Sequence, residues 1–390
     1  MNLKFLHKDN FHFSLFLKNT ISTIYSHIDT AWNKSNIYKN SEKTNHETLD
    51  VYSHSLFPSY LEPTIKNNFV CRKIFQKPGF AIHLNDCDNV NDYIKTNCST
   101  SLKKTLKRSI KRLEGCLDIS YKMYFGDISS ENYQYLMETL HTMLIKRFQQ
   151  RNDNNDVLND WGFYLNNSFN LINNKKASLF VIFNNKEPIE ISLNYHFDSI
   201  IYSHISSYNL DYSKYGLGNV EIYKQLEWCI NNNFKVFDMG YGDFDYKRRW
   251  SNLIYDFNHN IVYHPKNVLG PLLGIIFKSK YKLINYLISK KVNVYYNNVK
   301  HFIKGNPNKI NYMPLEFKSQ TIAHIIDSSP NGYEQLNIDD NNFFFLRKPL
   351  FDFLYTFQEH ISMVTIYKTL EDKKSFLFIG KNNTNKITVN

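Results

Sequence analysis

The sequence predicts an α+β fold: a mixed sheet built around an antiparallel meander, with helices packed on it. Three observations carry the prediction. Strand-like runs at 177–183, 189–197 and 200–207 are joined by turns too short for crossover helices. Helical periodicity precedes them, with apolar residues three and four apart over 99–114, 128–148 and 161–172. A glycine loop, an amphipathic helix, one further strand and a second glycine turn follow in order from Tyr215 to Asp243.

Residues 1–98 form an N-terminal lobe of mixed signals. Phe11 to Trp32 reads as a helix, and 37–50 (IYKNSEKTNHETLD) as a polar loop. Phe69 to Phe75 and Phe80 to Leu84 read as two strands separated by a turn at Pro78-Gly79. The first twenty residues are broken by Lys4, His7, Lys8, Asp9 and His12 and lack the continuous apolar core of a signal peptide.

The second unit spans 99–264. Its first helix is basic and amphipathic: Leu102, Leu106, Ile110 and Leu113 fall on one face, and Lys103, Lys104, Lys107, Arg108, Lys111 and Arg112 take the others. A solvated charged face, an anionic ligand and a membrane surface are all compatible with it. In the next helix Tyr133, Leu136, Met137, Leu140, Leu144 and Phe148 make the stripe, and a third runs from Trp161 to Ile172. Along the second meander strand Glu190, Ser192, Asn194 and His196 alternate with apolar residues. Alternation also groups Tyr202, His204 and Ser206 on the third strand. One side of the sheet is therefore polar, as the wall of a wet cleft would be.

The loop Tyr215-Gly216-Leu217-Gly218-Asn219 has two glycines, which let the backbone take positive φ and approach a ligand. A helix starting at Asn219, an N-cap residue type, aims unpaired N–H groups at the loop, and its dipole favours an anion. An ordinary tight turn is the competing reading. The buried face of that helix is read as Ile222, Leu226, Cys229 and Ile230. The strand Phe234 to Met239, the turn Gly240-Tyr241-Gly242-Asp243 and the knot Tyr246-Lys247-Arg248-Arg249-Trp250 complete the unit.

This order of elements resembles the GNAT acyltransferase fold, and more closely its BioF2-like or CelD-like branch, related to the FemAB peptidyltransferases. The terminal motif of that branch, near D-F-x-x-G-x-x-x-Y-K-x-x-W, is matched in register by Asp238, Gly242, Tyr246, Lys247 and Trp250, and the loop glycine by Gly216. Tyr215, Met239 and Glu190 depart from the family's usual Pro, Phe and small apolar residue. The resemblance covers about residues 99 to 260 and implies a GNAT-like mixed sheet, with the N-terminal lobe a degenerate second GNAT-like lobe. It implies acetyl-CoA or another acyl-CoA as co-substrate, its pyrophosphate on residues 215–219. The implied acceptor is an amine on a small molecule or glycan precursor of the cell envelope or an exopolysaccharide.

Acyl transfer to an amine needs a base, oxyanion donors and a proton for the departing thiolate. Glu190, His204 and Asp243 are the candidate catalytic groups, each with an ordinary hydrogen-bonded polar residue as its alternative. Tyr246, Lys247 and Arg248 are the substrate-binding candidates, against a solvated turn.

The remaining chain offers no recognisable chemistry. Val268 to Phe277 is apolar and followed by Lys278, Lys280, Lys282, Lys290 and Lys291; over 265–305 a core helix, a partner-binding face and a basic element on anionic lipid all fit. Residues 306–390 read as an α/β extension.

A net charge of +11 points to anionic partners. The five cysteines form no C-x-x-C pair, which favours a reducing cytoplasm over a disulfide framework; the inner membrane face is the peripheral alternative. No H-E-x-x-H or H-x-x-x-H spacing supports a metal, and no G-x-S-x-G supports a serine hydrolase. Two rivals remain: an aminoacyl-tRNA-dependent peptidyltransferase, with tRNA on the basic helix, and an inactive scaffold on anionic surfaces.

Overall fold

A computed structural model describes residues 6–32, 34–40, 50–66, 68–84, 87–151, 156–290, 317–322, 332–338, 340–372 and 374–389. Most of the predicted loop at 37–50 lies outside them, and its first residues belong to a strand. The elements run β1 (Leu6–Asn10), α1 (Phe11–Phe16), β2 (Tyr25–Thr30), β3 (Asn36–Lys39), β4 (Val51–Pro58), β5 (Leu61–Ile65), β6 (Val70–His83), α2 (Val90–Asn97) and α3 (Thr100–Cys116). There follow β7 (Ile119–Tyr124), α4 (Ser130–Arg151), α5 (Asp156–Asn159), α6 (Trp161–Asn173), β8 (Ala177–Asn184), β9 (Glu187–Phe197) and β10 (Ile200–Tyr208). A 3₁₀ turn (Leu210–Tyr215) leads to α7 (Leu217–Asn231), β11 (Val236–Tyr241), α8 (Asp245–Trp250), β12 (Leu253–Tyr263) and α9 (Leu269–Ser289).

Among the described residues the main sheet has nine strands in the order β1-β4-β12-β6-β11-β10-β9-β8-β7. β7 to β10 form the predicted antiparallel meander. β6 enters between β12 and β11, so the sheet crosses the boundary drawn at residue 98 without a seam. One face is covered by α1, α4 and α6, with Leu136, Leu140, Tyr164 and Ile172 against Leu179, Leu193 and Tyr195. On the other face α2, α3 and α7 bury Tyr93, Leu102, Leu106, Ile222 and Leu226 against Phe80, Ile82 and Phe237.

Two expectations for the N-terminal lobe are corrected. The helix predicted from Phe11 to Trp32 stops at Phe16. Asn19 takes a left-handed φ of 51°, and the apolar residues after it serve β2. Pro78-Gly79 is not a turn: β6 runs straight through, with Pro78 opposite Asp256 and Gly79 opposite Tyr255. A side chain at Gly79 would lie 2.4 Å from the Tyr255 ring, and the register slips nearby at Gln76, between the Lys77 and Phe75 pairs, so the pair lies next to a bulge rather than at a turn.

The C-terminal extension is a five-stranded sheet, β13 (Phe317–Ile322), β17 (Thr384–Val389), β16 (Ser375–Ile379), β15 (Thr365–Thr369) and β14 (Tyr333–Leu336), with α10 (Arg347–Phe357) against it. It docks beside the glycine loop: Phe351 stacks on Tyr212 at 4.0 Å, and Arg347 pairs with Glu187 and Asp211.

Candidate acyl-transfer site

The site sits where two neighbouring strands part. β10 and β11 pair in parallel only from Ile200↔Val236 to Tyr202↔Asp238. Beyond that, β10 is bulged between Ser203 and Ile205, and β11 kinks at Gly240, whose φ is +68° and where a Cβ would crowd the Tyr202 ring at 3.0 Å. The bulge also corrects the predicted face. Tyr202 and His204 face the α4–α6 side, whereas Ser206, opposite Ser192, faces α7. A one-residue slip exchanges the two faces.

The terminal motif builds this split from within. Asp238 is fully buried and accepts hydrogen bonds from the hydroxyls of Tyr60 (2.7 Å) and Tyr255 (2.8 Å) and from the Gly240 N–H (2.7 Å). His12 of the N-terminal lobe lies 3.6 Å away. Lys247 turns inward rather than toward a ligand: its Nζ donates to the carbonyls of Met239 (2.5 Å) and Tyr241 (2.6 Å), and burial lowers its pKa to about 8 against the pull of Asp238. The Trp250 indole N–H donates to Asn219 Oδ1 at 3.1 Å, fastening α8 to the first turn of α7.

The polar strand face is not a wet wall. Glu190, Ser192, Asn194 and His196 are all buried beneath α7, which turns Glu221 and Gln225 down onto them. Asn194 donates to Gln225 (2.8 Å), Gln225 to Glu221 (2.8 Å), and His196 Nε2 meets Ser178 Oγ at 2.8 Å. Inward-facing polar residues on α7 supply the partners that burial demands.

The Ser206 hydroxyl lies 3.0 Å from Glu190 and 2.8 Å from Glu221. With one proton it donates to one carboxylate only and accepts from the other carboxyl, which must be protonated. Burial, then the neighbouring Glu221, raises Glu190 well above its ordinary value; Glu221 is also raised by burial. Arg147 of α4 acts on both with the opposite sign. Two buried carboxyls sharing a proton form an acid–base pair.

Tyr246, 41% exposed and stacked beside Phe244, lies within electrostatic reach of Glu221. Its hydroxyl is pushed up to about 12, first by burial and then by Glu221, against Arg147 and Arg151. It therefore carries its proton at neutral pH. The other predicted groups lie apart. Asp243 is exposed and held by Arg248, whose Nη2 donates to it at 2.5 Å, so its carboxyl is depressed and Arg248 is engaged in the same pair. His204 packs against Tyr164 and Tyr195, its Nδ1 lies 3.0 Å from the Tyr202 hydroxyl, and it is lowered to about 3 by burial. Glu190 pairs with Glu221, whose charge also acts on Tyr246, and Asp243 and His204 do not join them. Glu221 and Arg147 are not among the sequence candidates, and Ser206 is placed there on the wrong face. The available signal was Glu221 and Gln225, four apart on the apolar face of α7.

The glycine loop differs from expectation in its cap. α7 begins at Leu217 with Gly216 as N-cap at φ +67°, and Asn219 lies inside the first turn. Gly216 is required by close packing, because a Cβ there would lie 2.8 Å from Ser109 Oγ on α3. Tyr215 is buried, its hydroxyl donating to the Phe351 carbonyl at 3.3 Å, and Leu217 is buried too. Nothing lies within 4 Å of a Cβ at Gly218, which leaves an open cradle at the start of a fifteen-residue helix. One turn before Ser109, α3 lines a shallow cleft with Ser101, Lys104, Thr105 and Arg108. An open helix start, and cations with no carboxylate partner among the described residues on the helix packed against it, suit a phosphorylated ligand. Among the described residues no group of His, Cys, Asp and Glu could hold a metal.

Residues 100–248 match the family model described as an acetyltransferase (GNAT) domain. No curated protein matches the chain in sequence. Similar solved structures include a conserved protein of unknown function from Bacteroides thetaiotaomicron, at 8% identity and a TM-score of 0.36 over 55% of this chain and 70% of that one. L-PGS from Bacillus licheniformis is similar at 9% identity and a TM-score of 0.35 over 59% and 73%. FemX is similar at 10% identity and a TM-score of 0.31 over 57% and 74%.

Proposed function

With residues 100–248 a GNAT-type acetyltransferase domain, we propose that the chain transfers an acyl group, acetyl first among them, from acyl-CoA to an amine, on a small molecule or a glycan precursor. The observation that carries this reading is the parting of β10 and β11 in front of the open N-terminus of α7. The N–H groups of Leu217 and Gly218, with Lys104 and Arg108 beside them, would hold the pyrophosphate, and the co-substrate supplies a thioester acyl group. The pair Glu190–Glu221, reached through the half-buried Ser206, takes the proton that the attacking amine must lose. Tyr246, protonated at neutral pH, gives a proton to the departing sulfur.

Release of free thiol from acetyl-CoA, followed over a panel of amines, tests the assignment. Tyr246→Phe is expected to lower kcat by roughly 10²–10³-fold with little change in the KM for acetyl-CoA. Full activity in Tyr246→Phe would remove that residue from the chemistry. Transfer from aminoacyl-tRNA, with none from any acyl-CoA, would contradict the reading as a whole.

A further inference from the structure

α9 lies against the sheet by a narrow stripe. Gly270, Gly274 and Tyr281 are its buried residues, with Asn285 Nδ2 donating to the Gln76 carbonyl at 3.3 Å. The opposite side is apolar and uncovered: Leu272, Ile275, Ile276, Leu283 and Tyr286 are each half exposed or more. At about 100° per residue these form one continuous stripe, with Lys278 and Lys282 along one flank and Lys280 along the other. No described helix is long and apolar enough to cross a membrane.

Beside the stripe, Arg72, Lys73 and Phe75 of β6 and Lys278, Lys282 and Asn285 of α9 line a cleft of about 430 Å³. None of its four cations is paired with a carboxylate among the described residues. The surrounding sequence is one-sided in charge, with nine lysines and no acidic residue between Asp256 and Glu316. β12 sends Ile261 toward α9 and Val262 into the α4–α6 core, so α9 shares the sheet face that carries α7.

We propose that the outer face of α9 lies on an anionic phospholipid surface, its aliphatic stripe in the acyl boundary and the Arg72–Lys73–Lys278–Lys282 cleft on headgroup phosphates. Lysines on both flanks of an aliphatic stripe place their stems along the apolar layer and their ammonium groups at the phosphates. A protein partner would have to present an acidic rim on both sides of an aliphatic groove, whereas an anionic bilayer presents both everywhere. The inference stands apart from acyl transfer, since lipid binding needs no co-substrate.

Co-sedimentation of the full chain with phosphatidylcholine vesicles and with vesicles enriched in phosphatidylglycerol is the test. Binding is expected to the anionic vesicles at least tenfold more strongly, and to weaken with salt. Lys73→Glu, Lys278→Glu and Lys282→Glu together should weaken it on the order of a hundredfold. Leu272→Gln with Leu283→Gln should weaken it too, with an unchanged melting temperature, because both side chains are exposed. Three outcomes would overturn the proposal: no binding to any vesicle by folded protein, binding indifferent to both variants, or a dimer at sedimentation equilibrium that Leu283→Asp converts to monomer.

Discussion

Asp238→Ala is expected to destabilise the chain by roughly 3–5 kcal/mol, the largest effect of any single truncation near the site. Its carboxylate is the one acceptor shared by Tyr60 of the N-terminal lobe, Tyr255 of β12 and the Gly240 N–H of β11. All these groups are enclosed, so alanine leaves two buried hydroxyls and an amide without partners, each costing about 1–3 kcal/mol. The loss falls on the join between the N-terminal strands and the meander, so the site opens with it. Tyr255→Phe removes a single donor and should cost about 1 kcal/mol. Urea unfolding reads both. A shift in Asp238→Ala below about 1 kcal/mol would mean that water replaces the carboxylate and that this network does not hold the split.

Acidification is expected to unfold the protein at mildly low pH. Burial lowers His54 and His259 to about 4 and His196 and His204 to about 3. A histidine lowered on folding stabilises fully above its unfolded value near 6.5, and that contribution is lost as pH falls toward the folded value. At about 1.36 kcal/mol per pH unit, each costs about 2 kcal/mol at pH 5. Glu190 has the opposite sign. Raised on folding, it stabilises most at low pH and loses that contribution as pH rises through its folded value. Four histidines against the one proton shared by Glu190 and Glu221 leave a net of about three protons, or about 6 kcal/mol between pH 6.5 and 5. Against a typical total of roughly 5–15 kcal/mol, that is enough to lower the melting temperature steeply. His196→Gln should flatten the profile by about one proton. A melting temperature constant from pH 7.5 to 5 would show that these imidazoles are solvated.

What was legible in the sequence was local. α3, α4, α6 and the meander each repeat their burial signal within a few residues, so periodicity found them close to their observed ends. The N-terminal lobe was not legible, because β1, β4 and β6 are stabilised by partners far away in sequence. Arg72 faces Ile261, and Leu6 faces Val51. Pro78-Gly79 carries a turn composition, but what gives it meaning is the Tyr255 ring across the ladder. At the site, alternation grouped Ser206 with His204, and a bulge that leaves no composition mark separated them. Glu221 was passed over because a charged residue on a helix defaults to solvent. Its partners Ser206, Gln225 and Glu190 are what bring it inside.

The central claim, that the open start of α7 receives the pyrophosphate of an acyl-CoA, is tested most directly by calorimetric titration of acetyl-CoA into the wild type and a Gly218→Asp variant. Gly216 is a poor probe, since its positive φ and its contact with Ser109 make any side chain there disruptive. Gly218 has open space around it, and an aspartate in a first helical turn is favourable to the helix. The variant should therefore fold as the wild type does while placing a negative charge in the cradle. The account predicts saturable binding to the wild type and at least tenfold weaker binding to Gly218→Asp, with equal melting temperatures. Equal affinity in both, or no binding to the folded wild type, would contradict it.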